Sequence, residues 1–270
     1  MLSDITIGQF FPGESLLHRM DPRVKLALTF LYIIVLFVPQ NWVGLGLAVG
    51  FLALCVLISR IPIKVILKGF KPIIPILIFT SLINLFYAEG TVLLEFWILT
   101  ITLEGIYKAV FIALRILCLI AASSLLTYTT SPTTLTDALE RLMSPLRFIR
   151  VPVHEIAMMM TIALRFIPSL IEETDKIMSA QKARGADMES GNILQRVKAL
   201  IPVLVPLFVS SFRRAFDLAT AMECRCYHGG DGRTRMKQLH MAARDFAAVG
   251  VVALLIAGLI VSNSYIPAVI

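Results

Sequence analysis

Ser179-Ala180-Gln181-Lys182-Ala183-Arg184-Gly185 closes a long helical pattern inside a basic stretch, 129–245, that interrupts an otherwise strongly apolar chain. A second frame, Thr220-Ala221-Met222-Glu223-Cys224-Arg225-Cys226, closes the next long pattern in the same stretch. Each frame places Ala four positions before an arginine and small residues on either side of it. Small neighbours leave a guanidinium unshielded, so it can enter a groove on another surface. The contrast between this stretch and its surroundings sets the fold: a membrane anchor that presents two arginines.

The composition agrees. Of 270 residues, 57% are hydrophobic and only 16% charged, and the mean hydropathy is +0.82. A soluble domain is usually nearer half apolar and a quarter charged, so the chain reads as a multi-pass membrane protein. No cleavable signal peptide is expected, because Asp4, Pro12 and Glu14 interrupt the first twenty residues and no basic segment precedes them. The cysteines do not form a disulfide framework. Cys55 and Cys118 lie in apolar segments, and Cys224 and Cys226 flank an arginine expected to face a reducing cytosol.

Residues 1–23 form an amphipathic lead-in, with Asp21 placed to cap a helix whose first position is Pro22. Apolar segments follow at about 24–38, 42–58, 72–87, 105–128 and 246–262, each near the ~20 residues a span requires. Lys64, Lys68 and Lys71 have the spacing of one face of a short interfacial helix. Basic residues cluster at 19–25, 60–71 and 129–245, whereas 39–41, 88–104 and 263–270 contain none. The positive-inside rule then predicts a cytosolic N-terminus, a cytosolic 129–245 and a C-terminus outside. The expected fold is all-α: a polytopic membrane protein of five transmembrane helices with a cytosolic coupling domain of long amphipathic helices. Its parts are 1–128 (lead-in and four spans), 129–245 (coupling helices) and 246–270 (last span).

Within 129–245, Ser131-Pro132 opens a helix that Ser144-Pro145 ends. After Pro152, helical spacing of apolar residues runs from Ile156 to Met178, with Pro168 placed to bend it and Gly185 placed as a left-handed cap. A turn is expected at Glu189-Ser190-Gly191-Asn192. The uncharged run 199–212 is too short for a span and reads as interfacial or buried. Another turn is expected at Gly229-Gly230-Asp231-Gly232.

Several stretches together resemble a known family: Ile7-Gly8-Gln9, His18-Arg19-Met20-Asp21-Pro22-Arg23, Arg165-Phe166-Ile167-Pro168, Gln181-Lys182-Ala183-Arg184-Gly185 and Ala221-Met222-Glu223-Cys224-Arg225-Cys226-Tyr227. The chain is similar to the transmembrane T component of energy-coupling factor transporters, the vitamin-uptake class of ATP-binding-cassette importers. The resemblance implies an energy-coupling membrane scaffold with no catalytic site and no cofactor of its own, ATP being bound by partner subunits. It implies two ATPase partners, docked through Ala183, Arg184 and Gly185 and through Cys224, Arg225 and Cys226. Cys224 and Cys226 depart from the family pattern, which has Ala and Gly there. It also implies a separate substrate-binding membrane subunit lying against the coupling helices. Met158, Met159, Met160, Ala163 and Ile167 are the expected contact surface, since flexible thioethers suit a surface that accepts several partners. Membrane lipid is the remaining expected partner, and nucleic acid is not one.

Other readings carry less. Arg115 sits inside an apolar segment, where an ionisable group is costly, and a structural partner accounts for it as well as a functional role does. His154-Glu155 lacks the second His that a zinc-protease helix needs at 158, where Met158 stands. The Gly229 turn lacks the Gly-Lys-Ser/Thr ending of a phosphate loop. An intramembrane enzyme would need converging reactive groups that the apolar segments do not offer. A self-contained carrier without ATPase partners is the alternative, and it usually shows inverted repeats or several mid-membrane charges.

Overall fold

A computed structural model describes residues 10–87, 91–96, 99–186, 192–230 and 239–266. The described elements are α1 (Pro22–Val35), α2 (Trp42–Ser59), α3 (Ile63–Phe70), α4 (Ile74–Tyr87), strands β1 (Val92–Phe96) and β2 (Leu99–Thr102), α5 (Leu103–Thr129), α6 (Pro132–Leu142), α7 (Val153–Ala183), α8 (Ile193–Cys224) and α9 (Ala243–Tyr265). Single 3-10 segments, Lys71–Ile73 and Ser144–Ile149, join α3 to α4 and follow α6. The chain divides into two compact units, one built on Leu139–Lys237 and the other on Gly8–Ala138 with Gln238–Ile270.

In the larger unit α5 is the central helix. It packs against α1, α2, α3 and α4, while α9 packs against α1 and α2. Tyr32, Leu36, Ala48, Leu52, Cys118, Ala121 and Ala122 form one core cluster. The Tyr32 hydroxyl donates to the Ala48 carbonyl at 3.0 Å, which satisfies a polar atom that burial would otherwise strand. Much of the remaining apolar surface faces outward: Ile34, Leu57, Phe79 and Leu254 are each more than half exposed. That is a liability in water and the normal condition of a helix bundle in lipid.

Polar side chains close the helix ends. Asp21 accepts from the Arg23 amide at 2.9 Å with Pro22 at the first helical position. Burial works against the Asp21 charge, but the hydrogen-bonded Arg23 guanidinium outweighs it and holds the carboxyl below its usual range. Asp245 caps α9 by accepting from the Ala242 amide at 2.8 Å, and its other oxygen accepts from the Asp21 amide at 3.0 Å. One buried carboxylate thus ties the starts of α1 and α9. At the other end, Asn41 caps α2 through Gly44 at 2.7 Å and donates to the Ser262 carbonyl at 3.0 Å.

Arg115 has a structural partner. Its guanidinium donates to the Pro39 carbonyl at 2.7 Å and lies 4.9 Å from the Phe111 ring centroid and 5.7 Å from that of Phe37. The freed carbonyl beyond α1 and two aromatic faces offset the cost of a cation among apolar helices.

The chain is an all-α polytopic membrane protein, with differences of detail from the sequence reading. Among the described residues, six helical stretches are long and apolar enough to cross a membrane, judged by length and composition. The segment at 24–38 is not one of them: α1 has 14 residues, about 21 Å at 1.5 Å per residue, against a ~30 Å hydrocarbon core. Tightened bonds at its end, Phe37 to Ile34 and Val38 to Val35, finish the helix before Pro39. Conversely α7 and α8 qualify, and the run 199–212 belongs to a 32-residue helix. The connection at 88–104 contains an antiparallel hairpin, β1 to β2, that the sequence reading did not include. The expected turn at Glu189-Ser190-Gly191 lies outside the described residues, as do Asp231 and Gly232 of the second turn.

Candidate functional site

The smaller unit is dominated by α7 and α8, which pack on one another. Periodic apolar residues make α7 amphipathic, Glu155 sits in its first turn and Lys182 in its last, and each charge complements the helix dipole. Both helices keep prolines inside, Pro168 in α7 and Pro202 and Pro206 in α8. Each proline removes one backbone bond. Gln181 recovers one freed acceptor by donating to the Pro202 carbonyl at 3.3 Å. The main polar link between the helices is Arg214, which donates to the Ser169 hydroxyl and pairs with the Glu173 carboxylate. That link was not anticipated from the sequence, where Arg214 reads as one of several basic residues leading to Arg225.

The two arginine frames fold into the same turn. After α7, the Gly185 amide donates to the Lys182 carbonyl at 3.0 Å and the Ala186 amide reaches back to Gln181 at 3.0 Å. After α8, the Cys226 amide donates to Glu223 at 2.9 Å and the Tyr227 amide to Met222 at 3.1 Å. Nested bonds of this kind define the Schellman ending, which requires a left-handed residue just past the helix. Gly185 supplies it with φ +87, and Cys226 supplies it with φ +55. The second frame therefore departs from glycine in identity while keeping the backbone that glycine favours, at a cost of roughly 1–2 kcal/mol of local strain.

This geometry puts each arginine on the rim of its turn. Ala183, Arg184, Gly185, Cys224, Arg225 and Cys226 are all exposed. Among the described residues, neither the Arg184 nor the Arg225 guanidinium has a hydrogen bond or ion pair. Two cationic forks, carried on turns with the same hydrogen-bond pattern, are suited to bidentate capture of carboxylates.

The expected contact surface on α7 is partly continuous. Met159, Met160, Ala163 and Ile167 fall within about 100° of one another around a 3.6-residue turn. Met159 is 58% and Met160 37% exposed. Met158 lies off that stripe and is half-buried. His154 hydrogen-bonds Glu140 through Nδ1 at 3.1 Å, and among the described residues no group of three potential metal ligands converges.

Comparison with known proteins agrees with this architecture. The family model CbiQ, described as cobalt transport protein, matches residues 13–236. The chain is 56% identical over 251 residues to the energy-coupling factor transporter transmembrane protein EcfT of Ruminiclostridium cellulolyticum, covering 93% of this chain and 94% of that one. It is 51% identical over 262 residues to the protein of the same name from Thermosediminibacter oceani, covering 97% and 99%. The corresponding protein of Lactococcus lactis subsp. cremoris is 44% identical over 245 residues, covering 90% and 92%. The match spans both the apolar helices and the arginine turns. The chain accordingly belongs to the family of transmembrane energy-coupling components of energy-coupling factor transporters, and it is a multi-pass cell membrane protein.

Proposed function

We propose that this chain is the membrane scaffold and energy-coupling subunit of an ATP-driven importer for a vitamin or other micronutrient. It links two ATP-binding-cassette ATPases to a separate substrate-binding membrane subunit. Arg184 and Arg225 each seat in one ATPase, and the α7 stripe around Met159 and Met160 bears on the substrate subunit. ATP binding and hydrolysis belong to the partners. With α7 and α8 lying along the cytosolic face, the basic residues of 60–71 and 129–245, and the lack of any in 88–104 and 263–270, support a cytosolic 129–245 and a C-terminus outside.

The observation that carries this reading is the pair of matching Schellman turns, each displaying an unpartnered guanidinium between small residues. When nucleotide draws two ATPases together, two arginines seated one in each must move relative to one another. The linked helices α7 and α8 would pass that motion on as hinge or shear displacement. In the double variant Arg184→Glu and Arg225→Glu, the chain should still insert but should lose both ATPases on purification. Single changes should lose less, because the other turn keeps its contact. Co-purification and uptake at wild-type levels in the double variant would overturn the assignment.

A further inference from the structure

A cavity of about 370 Å³ lies within the larger unit, between α1, α2, α5 and α9. Its walls are mostly apolar, among them Leu28, Phe51, Ala122 and Val252, and among the described residues no acidic one lines it. Lys25 and Arg244 line one end, where α1 and α9 begin. From Arg244 to Val252 the helix rises about 12 Å, close to the ~15 Å depth of hydrocarbon in one leaflet.

The charged end is built rather than incidental. Lys25 is only 6% exposed. Its ammonium donates to the Thr129 carbonyl at 3.0 Å and to the Thr130 hydroxyl at 3.1 Å, both neutral acceptors. Among the described residues no carboxylate lies within ion-pair distance of it. Asp245 is the acid whose charge it feels, but both oxygens of Asp245 accept backbone amides, from Asp21 and Ala242. Arg244 is exposed and has no hydrogen bond or ion pair among the described residues. A buried cation without an ion-pair partner is costly, and the apolar slot beside it has the size and lining of a ligand site.

We propose that this cavity binds one anionic phospholipid from the adjoining leaflet. One acyl chain fills the slot between Leu28, Phe51, Ala122 and Val252, and the phosphate lies against Lys25 and Arg244. The proposal is independent of how the ATPases dock.

The test uses the full chain, purified and reconstituted in nanodiscs of phosphatidylglycerol mixed with phosphatidylcholine of the same chain length. Native mass spectrometry after detergent release should find one phosphatidylglycerol retained in preference to phosphatidylcholine. Arg244→Gln should lower that preference about fivefold, the worth of one basic residue at an anionic surface. Ala248→Trp, which fills the slot, should abolish retention of either lipid. As a check that needs no variant, phosphatidylglycerol with a photoreactive acyl terminus should label the segments around Phe51, Ala122 or Val252. Equal retention of the two lipids, or labelling confined to outward-facing residues such as Leu254 and Val261, would overturn the proposal.

Discussion

The left-handed residue past each long helix offers a sharp test, because one turn has glycine there and the other has cysteine. At Gly185, φ is +87 and an added Cβ would meet nothing within 4 Å, so Gly185→Ala changes backbone strain without a clash. A side chain in this region costs about 1–2 kcal/mol, and the reduced freedom of the unfolded segment returns about 0.5–1 kcal/mol. The net loss is about 1 kcal/mol, or roughly fivefold in local opening. Cys226→Gly runs the same exchange backwards, since φ is already +55 there, and should gain about as much. Hydrogen exchange on the nanodisc-embedded chain reads both. Exchange at the Ala186 amide should speed about fivefold in Gly185→Ala, and exchange at the Tyr227 amide should slow about fivefold in Cys226→Gly. If the turns position the docking arginines, Cys226→Gly should also slow ATPase loss during washing, by no more than that factor. Shifts of the same sign in both variants, or an unchanged Ala186 amide in Gly185→Ala, would refute the strain argument.

Other tests address the packing behind the turns. Arg214→Met removes the bonds to Ser169 and Glu173; those side chains of Arg214 and Glu173 are 35% and 20% exposed, so solvent screening limits the loss to about 1–2 kcal/mol. A double-mutant cycle with Glu173→Gln should return a coupling of about 1 kcal/mol in thermal unfolding, and zero coupling would show that the pair does not join the helices. Asp21 gives a pH signature, since its carboxyl lies below the usual range in the folded protein. Its stabilisation is complete above the unfolded value of about 3.9 and is lost as pH falls through the folded value, so acid melting below about pH 4 should be shallower in Asp21→Asn. Identical acid limbs for the two proteins would exclude that linkage.

Much of the fold was legible because it follows local rules. Apolar runs locate α2, α4, α5 and α9, Pro22 and Pro132 mark helix starts, and Gly185 marks a stop. Residue types near one another in sequence control these features, and the physics acts over one or two turns. The arginine frames were visible for the same reason, since a cap and its neighbours are contiguous. The length of α8 was not, because Pro202 and Pro206 interrupt its pattern while packing against α7 holds the helix together. Nor was the pairing of β1 with β2, because the alternation of Leu99-Thr100-Ile101-Thr102 lasts only four residues and Val92-Leu93-Leu94-Glu95-Phe96 has none.

Sequence alone determined that the chain lives in a membrane, where α2, α4, α5 and α9 fall and which two arginines stand apart. Burial is set by composition and caps by neighbours, so neither needs the partner elements to be known. Only the tertiary structure decided that Cys226 adopts the backbone of Gly185, that Arg115 answers the Pro39 carbonyl, and that Arg214 joins α7 to α8. It also brought Asp245 to the amide of Asp21, 224 residues away along the chain. Those pairings depend on which helices lie side by side, and adjacency in space is fixed by the summed packing of whole elements rather than by any pattern within one of them.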